Sequence, residues 1–334
     1  MSNSSLLSVE GLSIGFATEE GPIRVVEDVS FTVAGGETVG LVGESGCGKS
    51  VTAQTIMRLL PSPPSRIEAG RIGFGATDLA QASEAQMRKI RGNEIAMIFQ
   101  EPMTSLNPTM TIGEQIGEAL LLHRGLRASE ARPKVMDMLT QVGIGRPEKR
   151  FVQYPHELSG GLRQRVMIAM ALICNPKLLI ADEPTTALDV TIQAQILELM
   201  TGLTRRLNVA LIIITHNLGV VARYAKRVNV MYAGRIVESG SAADVYHDPR
   251  HPYTIALLRS VPRLDRPRQA RLDPVEGQPP DLTRLDGGCS FRPRCRFAVA
   301  ACAEARPPLE PAGAAGHLSA CFRRDELGAA QAAA

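Results

Sequence analysis

The segment GESGCGKS, residues 43–50, carries the residue types needed to hold a polyphosphate. Backbone N–H groups can point at phosphate oxygens only where the chain turns without side-chain bulk, which glycine allows. A lysine at position 49 can neutralise the β and γ phosphates, and the serine hydroxyl at position 50 can bind Mg²⁺. The helix predicted to begin here adds the positive end of its dipole. The predicted phosphate-binding segment is Gly43, Glu44, Ser45, Gly46, Cys47, Gly48, Lys49, Ser50 and Val51.

A pair of acidic residues follows the apolar segment LLIA. Asp182 ends the predicted strand, where a carboxylate can hold Mg²⁺ directly or through water. Its neighbour Glu183 is a candidate general base for an attacking water. An acidic pair after a strand can equally be a solvated turn, but together with the phosphate-binding segment it predicts nucleotide hydrolysis.

A second anion site is predicted far along the chain, in LSGGLRQR, residues 158–165. Ser159, Gly160 and Gly161 stand where a helix begins, and LRQRVMIAMALI continues that helix. Free N–H groups and a serine hydroxyl at a helix N-terminus attract anions. Taken alone, the segment could also be an ordinary helix cap.

The surrounding pattern predicts the elements that position these residues. Residues 6–36 alternate apolar and polar, as in two half-exposed antiparallel strands. The helix after the phosphate segment, SVTAQTIMRLL, should run up to the prolines of PSPPS. KLLIAD and ALIIITH are short apolar runs typical of central parallel strands. The sequence at 101–165, which ends with the second anion site, has a mostly helical pattern. RVNVMYAGRIVESG predicts a hairpin that turns at Ala233 and Gly234.

The order and spacing of these segments resemble the ATP-binding cassette (ABC) ATPases of ABC transporters. GESGCGKS, MIFQEP, LSGGLRQR, LLIADEP, ALD and IIITHN occur in that family's order within about residues 6–260. The resemblance implies an α/β fold: a P-loop NTPase with a RecA-like core, an antiparallel β subdomain and a helical subdomain at about 101–165. It also implies that two cassettes face each other head to tail, so that each nucleotide contacts one chain's phosphate loop and the other chain's LSGGLRQR segment, which we call the signature segment.

The resemblance further implies roles for single residues. Gln100 resembles the glutamine that senses Mg²⁺ and water and touches the membrane partner, and His216 the histidine that contacts the γ-phosphate. Asp189 resembles the residue that links the two sites of the dimer, and Phe16 is the candidate aromatic residue for stacking on adenine. With ATP as substrate and Mg²⁺ as cofactor, the implied Mg²⁺ ligands are Ser50, Gln100 and Asp182. The implied contacts to the opposing nucleotide are Ser159, Gly160, Gly161 and Gln164.

A narrower resemblance, to the ATPase subunits of bacterial dipeptide, oligopeptide and nickel importers, rests on QEPMTSLNP, HPYTIALL and EGQPP…GCSFRPRC. It implies two membrane permease subunits, a homologous but different ATPase chain as dimer partner, and an extracytoplasmic solute-binding protein that acts indirectly. The sequence also permits a homodimer. Peptides are the expected solute, and nickel or a metal chelate is the alternative.

Composition and the chain ends bear on location and partners. The net charge of +3 and the absence of tryptophan argue against a nucleic-acid partner and against a soluble cassette protein that remodels DNA or ribosomes. The N-terminus lacks the basic region of a signal peptide, and no apolar run approaches the roughly 18 residues of a membrane span. We expect a peripheral protein at the cytoplasmic face of the bacterial inner membrane, where thiols stay reduced.

Four of the six cysteines crowd into a C-terminal extension predicted at residues 261–325: Cys289, Cys295, Cys302 and Cys321. In a reducing cytosol, four thiols suit a soft metal centre better than disulfides. Zinc usually takes cysteines in close pairs, and the gaps here are wider. The subfamily resemblance implies a 4Fe–4S cluster, and zinc or unliganded cysteines are the alternatives.

Overall fold

The computed structural model describes residues 5–100, 105–186, 188–260 and 275–328. These residues form two compact units. Unit 1 is built from the described residues within 1–33, 38–81 and 214–334, and unit 2 from those within 34–37 and 82–213. Residues 101–104 of QEPMTSLNP, Ala187 of ALD, and the first part of the extension up to residue 274 lie outside the described residues.

Unit 1 contains a four-stranded sheet that confirms the alternation seen at residues 6–36. Its strands are β1 (Ser5–Thr18), β2 (Gly21–Ala34), β4 (Ser65–Phe74) and β5 (Thr77–Asp78), in the order β2-β1-β4-β5. β1 and β4 pair antiparallel. In β1 Leu7 and Val9 are buried, whereas Ser8 between them is partly exposed and Glu10 is exposed.

A second group of strands in unit 1 supports the phosphate segment. It consists of β3 (Thr38–Val42), β9 (Arg227–Tyr232), β10 (Arg235–Ser241), β11 (Glu310–Pro311) and β12 (Leu318–Ser319), in the order β11-β12-β10-β9-β3. The predicted hairpin is confirmed: β9 and β10 pair antiparallel around Ala233 and Gly234, whose φ values of 47° and 79° are those of a tight hairpin turn. The sequence did not predict β11 and β12, which the C-terminal extension adds beside β10.

Helices flank these strands. They are α1 (Lys49–Ile56), α8 (Leu218–Tyr224), α9 (Ala242–His247), α10 (Pro252–Ser260) and α11 (Ala301–Glu304). The helix α1 ends at Ile56, before the end predicted at the prolines of PSPPS. The reason is local, because Arg58 adopts a left-handed conformation with φ of 48°, which an α-helix cannot continue through.

Unit 2 contains the strands β6 (Ile95–Ile98) and β7 (Leu178–Asp182) and all but the last two residues of β8 (Ala210–Thr215), in the order β8-β7-β6. Every residue of β7 is buried, and β7 runs parallel to β6, as its apolar sequence predicts. The helices are α2 (Glu84–Ile90), α3 (Ile112–Arg124), α4 (Ala128–Gln141), α5 (Pro147–Phe151), α6 (Gly160–Leu172) and α7 (Val190–Arg206). Across the described part of the chain, we find no helix that combines the length and apolar character required to cross a bilayer.

Side-chain caps fix where several helices of unit 2 begin. The hydroxyl of Thr111 accepts the N–H of Glu114, whose carboxylate accepts the N–H of Thr111, and this capping box starts α3. In α7 the carboxylate of Asp189 accepts the N–H of Ile192 at 3.0 Å. These starts therefore depend on short-range signals that the sequence carries.

Candidate functional site

The phosphate segment lies between β3 and α1 in unit 1, in the strand–loop–helix context that such a loop needs. Gly48 precedes α1 with φ of 99°, and a Cβ at Gly43 would lie 2.3 Å from the carbonyl oxygen of Met231. Lys49 is buried, and its Nζ donates to the carbonyl oxygens of Gly43 and Glu44, each at 2.8 Å. The ammonium group is thus held against the loop into which a polyphosphate would fit.

Two further predicted residues lie in unit 1. His216 follows β8 and is exposed, and the side chain of the next residue, Asn217, accepts the N–H groups of Gly219 and Val220 to start α8. Phe16 lies near the end of β1, half-buried and opposite Ser65 of β4. Their assigned contacts with nucleotide stay predictions.

Three predicted residues lie in unit 2 at the ends of its strands. Asp182 ends β7 and is 3% exposed. Glu183 follows with φ of 44°, and Nε2 of Gln100 donates to its Oε2 at 3.4 Å. The same Oε2 accepts a 2.7 Å hydrogen bond from the hydroxyl of Thr186. Sequence reasoning missed Thr186, although a hydroxyl three residues after an acidic residue is a common turn signal.

The signature segment presents an unusual helix start. Ser159 is the N-cap of α6 and is exposed, and no hydrogen bond between its hydroxyl and the helix occurs in the part of the chain that the structure describes. Gly160 is also exposed. The free N–H groups at this N-terminus and the serine hydroxyl are therefore available to an external anion.

Gln164 occupies a different position from the serine and glycines with which it was grouped. Its side chain is 1% exposed, and neither its Nε2 nor its Oε1 has a hydrogen-bond partner among the described residues. The helix turns this side chain inward, so a single chain does not present it beside Ser159. Asp189, by contrast, is exposed and caps α7.

The extension and α10 reach the phosphate loop through residues that sequence reasoning missed. The N–H of Glu44 donates to Oη of Tyr253 at 2.7 Å, and the carboxylate of Glu44 pairs with Arg294 at 2.6 Å. Tyr253 lies in HPYTIALL, a segment whose sequence indicates the importer subfamily but not a contact with the phosphate loop. No local pattern links positions that are this far apart along the chain.

The four cysteines of the extension converge. All four line one small cavity of about 10 Å³. The pKa values of Cys289, Cys295 and Cys321 are raised, chiefly by burial and to a lesser degree by the neighbouring cysteines, and that of Cys321 reaches about 12. In number and type these thiols fit a soft metal centre. Their separations do not form a coordination sphere, since the described residues contain no group of three or more His, Cys, Asp or Glu side chains set to hold a metal.

A phosphate loop between a strand and a helix, with an acidic pair at the end of a buried parallel strand, defines the class of P-loop ATPases. The chain belongs to the ABC transporter ATPases. The family model described as "ABC transporter" matches residues 26–186, and the model described as "Oligopeptide/dipeptide transporter, C-terminal region" matches residues 237–302. The predicted family and fold class are therefore confirmed.

Relatives match along nearly the whole chain. The dipeptide transport ATP-binding protein DppD of Bacillus subtilis is 52% identical over 321 residues, which is 96% of this chain and 95% of that protein. The oligopeptide transport ATP-binding protein OppD of Salmonella typhimurium is 52% identical over 322 residues, which is 95% of this chain and 93% of that protein. The dimeric post-hydrolysis structure of the cassette MJ0796 bound to ADP and Pi has a TM-score of 0.63 at 26% identity, over 71% of this chain and 98% of that chain.

Proposed function

We propose that this ATPase drives the import of di- or oligopeptides through a bacterial ABC transporter, as a peripheral subunit at the cytoplasmic face of the inner membrane. The observation that carries the proposal is the similarity to peptide transport ATP-binding proteins, which spans 96% of this chain in the case of DppD and includes the C-terminal extension. The experiment is to purify the chain from membranes with its associated proteins and to assay ATP-dependent uptake of labelled peptides in proteoliposomes. Uptake of nickel or a metal chelate with no response to peptides would refute the peptide assignment.

In hydrolysis, Glu183 acts as the general base that accepts a proton from the attacking water. Its hydrogen bonds from Gln100 and Thr186 support this role, because they hold the carboxylate in one orientation. Glu183→Gln should slow hydrolysis by roughly 10²–10⁴-fold and keep ATP binding, since an amide cannot accept the proton. Lys49→Ala is the matched comparison, because loss of its charge should weaken binding itself. Turnover of Glu183→Gln near the wild-type value in the assembled transporter would remove this residue from the role.

We propose Ser50, Asp182 and Gln100 as the residues that hold Mg²⁺. A hydroxyl, a carboxylate and an amide oxygen are the hard oxygen donors that this ion prefers. When bound, Mg²⁺ offsets the negative charge of the β and γ phosphates. Asp182→Asn should weaken Mg²⁺-dependent binding of ATP, measured by titrating Mg²⁺ at fixed nucleotide, and leave Mg²⁺-free binding nearly unchanged.

We propose that Ser159 acts on the nucleotide of an opposing ATPase chain, which is a homologous but different subunit. The exposed hydroxyl of Ser159 makes no capping hydrogen bond to α6 among the described residues. This supports the proposal, because the N-terminus of the helix is left open to a nucleotide bound by the partner chain. Ser159→Arg should abolish turnover at the opposing site and leave ATP binding by the isolated chain intact. Loss of ATP binding by the isolated variant would contradict the proposal. Two permeases and an extracytoplasmic solute-binding protein complete the proposed assembly.

We propose that the four cysteines hold a 4Fe–4S cluster, with a single zinc ion as the alternative. The lining of one cavity by all four thiols supports a shared centre. Anaerobically purified protein should be brown, with about four iron and four sulfide per chain. Colourless protein with one zinc per chain would leave only the zinc alternative, and protein without metal would refute both. Since ATP hydrolysis transfers no electrons, the proposed role is structural.

A further inference from the structure

Arg294 of the extension forms an ion pair with Glu44 of the phosphate loop. Its Nη1 and Nη2 donate to the two carboxylate oxygens of Glu44 at 2.6 and 2.9 Å, the forked geometry that makes arginine–carboxylate pairs strong. The side chain of Arg294 is 4% exposed and that of Glu44 24%, so the pair is largely shielded from water. This contact joins positions 250 residues apart.

The guanidinium group of Arg294 is fixed from several sides. Its Nε donates to the carbonyl oxygen of Glu276 at 2.7 Å, and Nη2 also donates to that of Val275 at 3.1 Å. Its Cζ lies 5.8 Å from the ring centroid of Tyr232. Because these contacts fix the guanidinium group of Arg294 in one orientation, it can in turn fix the orientation of the carboxylate that it binds.

Glu44 is in turn fixed through all of its polar groups. Its carboxylate binds Arg294, its N–H donates to Oη of Tyr253, and its carbonyl oxygen accepts from Nζ of Lys49. Glu44 is the second residue of the loop GESGCGKS. A contact that fixes it therefore also restricts the backbone of the loop.

The negative charge of Glu44 affects how well the loop can bind a polyphosphate. A carboxylate within a loop that receives a polyphosphate repels that ligand, and the repulsion is strong where water is excluded. We propose that Arg294 is a positioning residue of the nucleotide site: it neutralises Glu44 and orients the loop, which makes the C-terminal extension a working part of the ATP site. The inference rests on the proposed function, because it assumes that GESGCGKS binds ATP.

The test is equilibrium binding of ATP and ADP to the full-length chain in Mg²⁺, with folding checked by circular dichroism. Arg294→Ala should raise the Kd for ATP by about tenfold or more, because the unpaired carboxylate of Glu44 then repels the phosphates. The rise should be smaller for ADP, which carries one negative charge fewer. Arg294→Lys should recover part of the loss, and it decides the question if Arg294→Ala does not fold. Arg296→Ala, which alters an exposed arginine in the same segment, should bind like the wild type.

The double variant Arg294→Ala/Glu44→Gln separates positioning from general destabilisation. Removal of the orphaned carboxylate should return ATP affinity to within a few-fold of the wild type, which a merely structural loss would not do. ATP binding by Arg294→Ala within about twofold of the wild type, or equal losses for ATP and ADP without rescue, would overturn the inference. Lys49→Ala distinguishes the two proposals: if it binds ATP normally, the proposed nucleotide site fails, whereas its loss of binding beside a normal Arg294→Ala removes only the role of Arg294.

Discussion

Phe291→Ala tests how firmly the C-terminal extension is anchored. Phe291 is 3% exposed, although it lies in a segment with few apolar residues. Its ring centroid lies 5.2 Å from that of Tyr232, 5.5 Å from that of Tyr253 and 5.9 Å from that of His251. These are ordinary distances for packed aromatic pairs, so the side chain fills a site within the core of unit 1.

The expected loss follows from this burial. Replacing a fully buried phenylalanine with alanine removes its transfer free energy and leaves a cavity, which together cost about 3–5 kcal/mol. Each lost aromatic pair accounts for roughly 0.5–1.5 kcal/mol beyond burial. Because Tyr232 and Tyr253 are held on other elements, they cannot collapse into the space, and we expect a value in the upper half of this range for Phe291→Ala.

The assay is urea unfolding followed by far-ultraviolet circular dichroism, since the chain has no tryptophan. Hydrogen exchange of the amides in β12 should accelerate in parallel, because that strand belongs to the extension. Phe322→Ala is the matched control, since Phe322 is 37% exposed in the same extension and should cost about 1 kcal/mol or less. The reasoning is refuted if Phe291→Ala costs no more than Phe322→Ala and leaves the exchange of β12 unchanged.

Three further outcomes are expected. Gly40→Ala should lower the free energy of unfolding by about 1–3 kcal/mol in thermal denaturation, because its Cβ would lie 2.0 Å from Cγ1 of Val221. A second change, Val221→Ala, should restore part of the loss, and an unchanged stability of Gly40→Ala would contradict this packing. Tyr253→Phe should weaken ATP binding several-fold in titration, because it removes the acceptor for the N–H of Glu44, and unchanged affinity would argue against that contact. Burial raises the pKa of the Cys47 thiol, so iodoacetamide at neutral pH should leave it unmodified in the folded chain, as mass spectrometry can check; rapid labelling would show that the loop exposes it.

Local sequence was enough to predict the contiguous segments of the candidate nucleotide site. The phosphate loop, the acidic pair after β7 and the hairpin turn at Ala233 and Gly234 each depend on a few neighbouring residues, whose torsions and hydrogen bonds are set locally. The period of the apolar residues likewise distinguished the half-exposed β1 from the buried β7. The predicted end of α1 was wrong, because no strong sequence signal marks the left-handed conformation of Arg58.

Only the tertiary structure shows how the extension packs against the rest of unit 1. Residues 287–302 and Cys321 predict four clustered thiols at most, whereas in the structure Phe291 enters the core and Arg294 contacts Glu44. The extension is also tied to β10 by His317, whose Nε2 lies 2.7 Å from Oε1 of Glu238, with both side chains fully buried. Such contacts depend on where a distant segment is carried by the rest of the chain. Local torsions and periodicity do not contain that information, because the free energy of each contact depends on a partner that only the folded chain brings within reach.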